Sequence, residues 1–112
     1  IVVFKGPARV EAACGTEGTY IKRLVGLPGE KVSMRNGYVF IDGVRLDEPY
    51  LQRGYRGGES GKWARIPSAT YFVLGDNRAM SCDSRRWGVV PRSNIIGRAE
   101  VIYWPPNRAG EP

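Results

Sequence analysis

Short apolar runs alternate with turn residues along most of this chain. The first run is Ile1–Lys5, and the second is Thr19–Gly26, which ends at Leu27-Pro28-Gly29. Runs of four to eight residues that are rich in β-branched and aromatic side chains and end at Gly or Pro are typical of β-strands. The pattern therefore predicts a strand over each of these two segments.

The strongest turn signal lies near the middle of the chain. Asn36-Gly37 separates Lys31–Met34 from Tyr38–Ile41, and Asn-Gly between two apolar segments is the strongest short-range signal for a β-hairpin. Asp42-Gly43 then predicts a second tight turn, which leads into Val44–Leu46. Together these segments predict a β-meander.

The second half of the chain continues the β pattern around one glycine-rich stretch. Residues 53–62 contain four glycines and no apolar periodicity, so we predict a mobile surface loop there. Tyr71–Leu74 is predicted as a buried strand and Asn94–Trp104 as the last strand region. The prediction is a mostly β fold with a single domain over residues 1–106, followed by a frayed tail at 107–112.

Length and charge narrow the classes of protein to consider. The 112 residues suffice for one domain, and 17 basic against 11 acidic residues give a net charge of +6. This charge suits a solvated surface, an anionic membrane surface or a nucleic acid. The basic residues are scattered, so a solvated surface is the simplest interpretation. No stretch is long and apolar enough to span a bilayer, and the 112 residues are expected to be soluble.

The chain contains no histidine. This excludes Ser-His-Asp and Cys-His arrangements within it and removes the commonest metal ligand. The two cysteines, Cys14 and Cys82, are too few for a thiolate zinc site. They are either buried thiols or one disulfide, which would join the chain ahead of Lys22 to a later polar turn. We expect neither a metal nor a cofactor.

Lys22 is the candidate general base. On the predicted strand, Tyr20, Lys22 and Leu24 lie on one face, so the lysine has apolar neighbours on both sides. A lysine that acts as a base near neutral pH needs a pKa roughly three units below the usual value of about 10.4, and apolar burial is the main way to achieve this. The same pattern is typical of a lysine that extends its amine into solvent, so both interpretations remain open.

A dense polar segment, Gly75–Pro91, follows the predicted buried strand. Asp83 and Arg85 are two residues apart, so on an extended segment they share a face and can form an ion pair. Ser81 has a hydroxyl that could orient a neutral lysine amine by a hydrogen bond. The competing interpretation is a turn whose side chains satisfy only their own backbone.

Two long segments closely resemble signature boxes of bacterial type I signal peptidases, in order and in spacing. One is Tyr20–Glu30, YIKRLVGLPGE. The other is Gly75–Gly88, which contains GDNR followed by Ser81, Asp83, Ser84, Arg85 and Trp87. Val2–Phe4 resembles a third, shorter box.

The resemblance implies a membrane-anchored serine endopeptidase of the plasma membrane that removes signal peptides from exported preproteins with a Ser-Lys dyad. It also implies a fold of coiled antiparallel sheets, LexA-like, on the extracytoplasmic face. By the same resemblance, Lys22 is the general base, Ser81 orients it, and Asp83 with Arg85 supports the site. The expected partners are signal peptides and the membrane surface, and not nucleic acid.

Further roles follow from the same resemblance. Tyr20, Ile21 and Val3 match positions that line the pockets for the small side chains at the cleavage site. Arg23 and Asp76 match supporting positions.

The chain departs from the family pattern at two places. Ala79-Met80 replaces the acidic and amide residues often found between Arg78 and Ser81. The nucleophilic serine of the family belongs to a box upstream of Val2–Phe4, and no serine here matches that box. We therefore expect an upstream segment that carries the serine and an apolar anchor, and no peptidase activity from these 112 residues alone.

Three other interpretations remain. A LexA-like or phage-repressor autopeptidase domain also uses Ser-Lys chemistry on a β fold. A non-catalytic relative would serve as a binding or assembly module. A nucleic-acid-binding β module comes last, because the basic residues do not cluster with exposed aromatic residues along the sequence.

Overall fold

The computed structural model describes residues 1–7, 14, 18–51 and 54–98. Within these ranges the chain is mostly β, as predicted, and its strands form two antiparallel sheets. The strands are β1 (Val2–Lys5), β2 (Thr19–Gly26), β3 (Val32–Arg35), β4 (Tyr38–Ile41), β5 (Val44–Arg45), β6 (Gly61–Lys62), β7 (Thr70–Leu74), β8 (Val90–Pro91) and β9 (Ile95–Arg98). Helix α1 is Ser84–Trp87, and a 3₁₀ turn covers Arg92–Asn94.

The first sheet has the strand order β8-β7-β2-β1-β9, with β2 at its centre. Strand β2 changes its pairing partner halfway along its length. Its first half pairs with β1, up to the match of Lys22 with Val2, and its second half pairs with β7 from the match of Arg23 with Leu74. Because β7 ends at Leu74, the polar segment that follows leaves the sheet directly beside Lys22.

The second sheet has the order β5-β4-β3-β6, and its first three strands are the predicted meander. Asn36 and Gly37 have φ angles of 52° and 85°, and Asp42 and Gly43 have φ angles of 50° and 84°. Two consecutive residues with positive φ define the turn that matches the twist of a tight hairpin, and Asn, Asp and Gly tolerate that conformation best.

The predicted mobile loop over residues 53–62 is wrong at its end. Gly61–Lys62 forms β6, which pairs with β3 through the match of Lys62 with Ser33. A two-residue edge strand has no periodicity to detect, and its pairing is decided by the neighbouring strand. Arg53 lies outside the described residues, as do 99–104 of the predicted last strand region and the tail at 107–112.

Strand β7 is buried on both faces and contributes to both hydrophobic cores. Val73 belongs to the first core, with Val2, Phe4, Trp87 and Val90. Phe72 and Leu74 belong to the second, which also contains Val32, Met34, Val39 and Ile66. Because side chains alternate along a strand, a strand between two cores is apolar at consecutive positions. This burial gives the polar segment after Leu74 a rigid starting point.

A disulfide joins Cys14 to Cys82, which are 68 residues apart, with a Cα–Cα distance of 6.2 Å. It ties the connection between β1 and β2 to the polar segment that precedes α1. Within the described ranges, no helix has the length and apolar character needed to cross a membrane.

Candidate active site

Lys22 and Ser81 form a direct contact beside the end of β7. The amine of Lys22 donates a hydrogen bond of 3.1 Å to the hydroxyl of Ser81. A Cβ atom added to Gly75 would lie 2.6 Å from Ser81 Cβ and 3.3 Å from Lys22 Nζ. Only glycine therefore allows the chain to leave β7 so close to this pair.

Asp83 is the buried centre of the polar segment. Its carboxylate accepts hydrogen bonds from the backbone N–H of Gly75, at 3.0 Å, and of Arg85, at 3.2 Å. The second bond makes Asp83 the N-cap of α1. The expectation of an extended segment is wrong here. The ion pair with Arg85 forms because a capping residue and the second residue of a helix lie side by side, an arrangement that needs no strand.

Arg85 connects several parts of the site. Its guanidinium group forms a bidentate ion pair with Asp83, at 2.8 and 2.9 Å, and both side chains are fully buried. It also donates to the carbonyl of Arg78 and to the carboxylate of Glu59, each at 3.0 Å. A buried pair with this many bonds holds the turn between Arg78 and α1 in one geometry.

Ser84 belongs to the second signature box, but the sequence patterns assign it no role. Its buried hydroxyl accepts a hydrogen bond of 2.8 Å from the backbone N–H of Val73. This bond attaches the start of α1 to the middle of β7. The helix and the strand therefore position Ser81, which lies between them, from both sides.

Arg23 and Asp76 flank the lysine on the other side. They form a bidentate ion pair with distances of 2.8 and 2.9 Å. The hydrogen bonds from Arg23 hold the pKa of the Asp76 carboxyl below its usual value. The Arg23 guanidinium also lies 3.6 Å from the centroid of the Tyr50 ring.

Glu48 is a buried residue of the site that the sequence does not reveal. Its carboxylate makes a bidentate ion pair with Arg78, at 3.1 and 2.7 Å, and accepts a bond of 2.7 Å from the Tyr50 hydroxyl. Burial, and then this bond to Glu48, raise the pKa of Tyr50. Arg78 also donates to the Gly75 carbonyl at 2.8 Å. Glu48 and Arg78 are 30 residues apart, so no local pattern predicts their pairing.

An open cavity of about 370 Å³ lies over the contact between Lys22 and Ser81. Ile21 and Met80 are among its other lining residues. Ile21 is 62% exposed and Met80 is 83% exposed, so both present apolar surface at the rim.

The other two residues assigned to substrate pockets differ in their positions. Val3 is matched with Ile21 in the β1–β2 register and therefore lies beside it on the same face. Tyr20 points to the opposite face of β2, where its ring stacks on Phe4 with 5.9 Å between the centroids. The structure thus brings Val3 and Ile21 together and packs the partly buried Tyr20 ring against the first core.

The chemistry available at this site is that of an amine and a hydroxyl. Asp76, Asp83 and Glu48 are each paired with an arginine, so their carboxylate oxygens are already engaged in ion pairs. Lys22 is the group that faces both the cavity and a hydroxyl. No cluster of three or more acidic or cysteine side chains that could hold a metal occurs in the described part of the chain.

Comparison with known proteins places the chain among signal peptidases. A family profile described as signal peptidase, peptidase S26, matches residues 1–104. Signal peptidase I of Leptolyngbya laminosa is 50% identical over 94 residues, which are 82% of this chain and 44% of that protein. A probable signal peptidase I-2 of Synechocystis sp. is 42% identical over 112 residues, which are 98% of this chain and 49% of that protein.

A solved structure shows the same fold. The signal peptidase I from Enterococcus faecalis V583 superimposes with a TM-score of 0.67 at 30% sequence identity, covering 86% of this chain and 91% of the other. The chain spans about half the length of the curated relatives it matches. By the extent of the family match, and by the identity of its relatives, the chain belongs to the signal peptidase family, peptidase S26.

Proposed function

We propose that this chain is the lysine-bearing part of a membrane-anchored serine endopeptidase that cleaves signal peptides from exported preproteins. The observation that carries the proposal is the contact of 3.1 Å between Lys22 and Ser81 beside an open cavity. The relatives are named signal peptidase I, and the family match favours this activity over that of a repressor-type autopeptidase.

In the proposed reaction Lys22 acts as the general base. Its neutral amine takes the proton of a serine hydroxyl while the serine oxygen attacks the scissile carbonyl carbon. The resulting ammonium group returns that proton to the leaving amine as the C–N bond breaks. Water, deprotonated in the same way, then hydrolyses the acyl-enzyme.

Ser81 is proposed to orient the amine and not to act as the nucleophile. Among the described residues it is the serine within hydrogen-bonding distance of Lys22. Its backbone carbonyl accepts a bond of 3.4 Å from Arg85, and Gly75 packs against its side chain. Both contacts hold Ser81 in one position, as expected of a residue that orients the amine. By the resemblance described above, the nucleophile comes from a part of the protein ahead of Val2–Phe4.

The supporting residues act by holding Lys22 and Ser81 in place. Asp83 with Arg85 fixes the turn that carries Ser81, and Arg23 with Asp76 ties β2, one residue after Lys22, to the segment that follows β7. We propose that an extended substrate peptide lies along β2, because pairing with β7 ends at Arg23. Ile21 and Val3 would line shallow pockets for small side chains. We propose the same role for Tyr20, whose partly buried ring stacks on Phe4.

The disulfide supports an extracytoplasmic location on the outer face of the plasma membrane. Disulfides such as Cys14–Cys82 persist in oxidising compartments and are rare in the cytosol. Signal peptides emerge from the membrane on that same outer face.

The test uses the protein extended upstream to the length of its relatives, with cleavage of a preprotein as the readout. Lys22→Ala is expected to lower kcat/KM by about 10²–10⁴-fold, the usual contribution of a general base. The control is Lys5→Ala, at an exposed lysine at the end of β1, which should keep full activity. Unchanged cleavage by Lys22→Ala contradicts the proposal, as does cleavage by the 112-residue chain alone.

A further inference from the structure

The cations of this chain fall into two groups. Arginines near the cavity, such as Arg23, Arg78 and Arg85, are each bonded to a carboxylate. A second set surrounds the outer face of the second sheet, and none of its members takes part in a salt bridge among the described residues. We call this set the basic face: Lys31, Arg35, Arg45, Lys62 and Arg65.

The strand register builds the basic face. Lys62 of β6 is matched with Ser33 of β3, Ser33 with Phe40 of β4, and Phe40 with Arg45 of β5. Directly matched residues point to the same side of a sheet, so these four side chains form one row across it. The alternate positions of β3 and β4 point into the core. The outward-facing side chains therefore do not pack into the second core, whereas the inward-facing ones do.

Guanidinium groups cover the aromatic rings of this sheet. Arg35 lies 5.0 Å from the centroid of the Phe40 ring. Arg45 and Arg56 lie 4.0 and 4.2 Å from the centroid of the Tyr38 ring. A guanidinium stacked on a ring keeps its N–H groups for oxygen acceptors. The same stacking occupies the ring faces on which the bases of a single-stranded nucleic acid would stack.

Two shallow cavities adjoin each other on the basic face, with volumes of about 580 and 630 Å³. Ser33 and Lys62 line both of them. Lys31 and Arg65 also line the first cavity, and Arg35 also lines the second. The carboxylate on the first cavity is Asp42, which accepts a hydrogen bond from the backbone N–H of Lys31. Hydroxyl and cationic donors of this kind bind phosphate oxygens.

We propose that the basic face binds the anionic phospholipid headgroups of a bilayer surface. A sheet face presents its cations in one broad plane, which matches a planar array of phosphates. Each Lys or Arg close to such a surface contributes attraction that adds to that of its neighbours. The covered rings disfavour a nucleic acid as the partner. This proposal is independent of the peptidase chemistry, because the Lys22 cavity belongs to the first sheet.

The experiment measures binding of the purified chain to sedimented vesicles at low ionic strength. One set of vesicles contains phosphatidylcholine with phosphatidylglycerol, and the other contains phosphatidylcholine alone. We expect binding to the anionic vesicles and loss of that binding at high salt. The double variant Arg35→Gln/Lys62→Gln should bind about 30-fold more weakly, as expected for two cations close to the surface.

The matched control is Lys5→Gln/Arg92→Gln, which removes the same charge from exposed positions in β1 and in the 3₁₀ turn, away from the basic face. It should bind like the unmodified chain, and thermal denaturation should show that both double variants are folded. Equal weakening by both variants overturns the proposal, since it would show that net charge alone matters. Absence of binding to anionic vesicles also overturns it, and so does tighter binding to a single-stranded oligonucleotide than to the vesicles.

Discussion

The amine of Lys22 lies 3.1 Å from the hydroxyl of Ser81, across 59 residues of sequence. Lys22 is fixed by a central strand, and Ser81 by a segment that is bonded at both ends, to β7 and to α1. Two rigid elements therefore hold an amine and a hydroxyl together beside a cavity. Substitutions can therefore distinguish Lys22, the proposed base, from the residues that position it.

Ser81→Ala should lower kcat on the order of 10²-fold in the extended protein, with little change in KM. The lysine stays, but its amine loses the bond that aims it, and misplacement of a catalytic group by about 1 Å costs this much. Steady-state kinetics on a preprotein peptide measures the effect. A fall in kcat/KM as large as that measured for Lys22→Ala would instead identify Ser81 as part of the reaction, and a matching fall in Tm would indicate a structural role.

Gly75→Ala should disrupt the site and destabilise the fold by about 1–3 kcal/mol, as overpacking does. The new methyl group would meet Ser81 Cβ at 2.6 Å and Lys22 Nζ at 3.3 Å, so the two side chains must separate. Gly58→Ala is the control, because no atom lies within 4 Å of a Cβ at that position. Urea denaturation and the peptidase assay should both distinguish the two variants. Full activity of Gly75→Ala would contradict the tight fit described here.

Asp83→Ala should lower the free energy of unfolding by about 3–5 kcal/mol, because it removes the fully buried carboxylate that pairs with the Arg85 guanidinium. Arg86→Gln breaks an ion pair with Glu59 that is largely exposed and should cost about 1 kcal/mol or less. Chemical denaturation at neutral pH measures both values. Similar losses of unfolding free energy for the two variants would show that the buried Asp83–Arg85 pair stabilises the fold no more than an exposed pair does.

Reduction of the disulfide should destabilise the chain by up to about 4 kcal/mol, the loop-closure value for a separation of 68 residues. Denaturation with and without a reducing agent measures this difference. The variant Cys14→Ser/Cys82→Ser should be insensitive to the reducing agent and as stable as the reduced chain. A thiol assay on the denatured, unreduced chain should detect no free thiol, and two free thiols would disprove the bond.

The ion pair of Arg23 with Asp76 should make stability depend on acidic pH. Its hydrogen bonds lower the pKa of Asp76 in the folded state, so the pair stabilises the fold above the unfolded value of about 3.9. That contribution is lost as pH falls through the lower folded value.

The stability difference between the chain and Asp76→Asn should therefore be constant from about pH 5 to 7 and shrink below about pH 4. Urea midpoints across this range measure it. Arg23→Gln removes the same pair and should show the same dependence on pH. If the stability difference instead grew as the pH falls, the Arg23–Asp76 pair would not be its cause.

The sequence alone determined the local elements and the family. Strand β2 and the turn at Asn36-Gly37 follow from residue patterns that act over a few positions, because alternation and positive φ are local properties. The segments around Lys22 and Gly75 are contiguous, so their resemblance to signal peptidases is visible without a structure. Asp83 and Arg85 are close in sequence, and their pairing was predicted although the helix that produces it was not.

Only the tertiary structure decided which distant residues meet. Glu48 with Arg78 and β6 with β3 are pairs that only the tertiary structure reveals. The family resemblance led us to expect Lys22 beside Ser81, and the structure supplies the geometry of that contact. Alternation along a strand specifies which face a side chain occupies, but not which strand will lie beside it. In a β fold that choice is made by packing two cores around a shared strand, and the site at the end of β7 is a consequence of that packing.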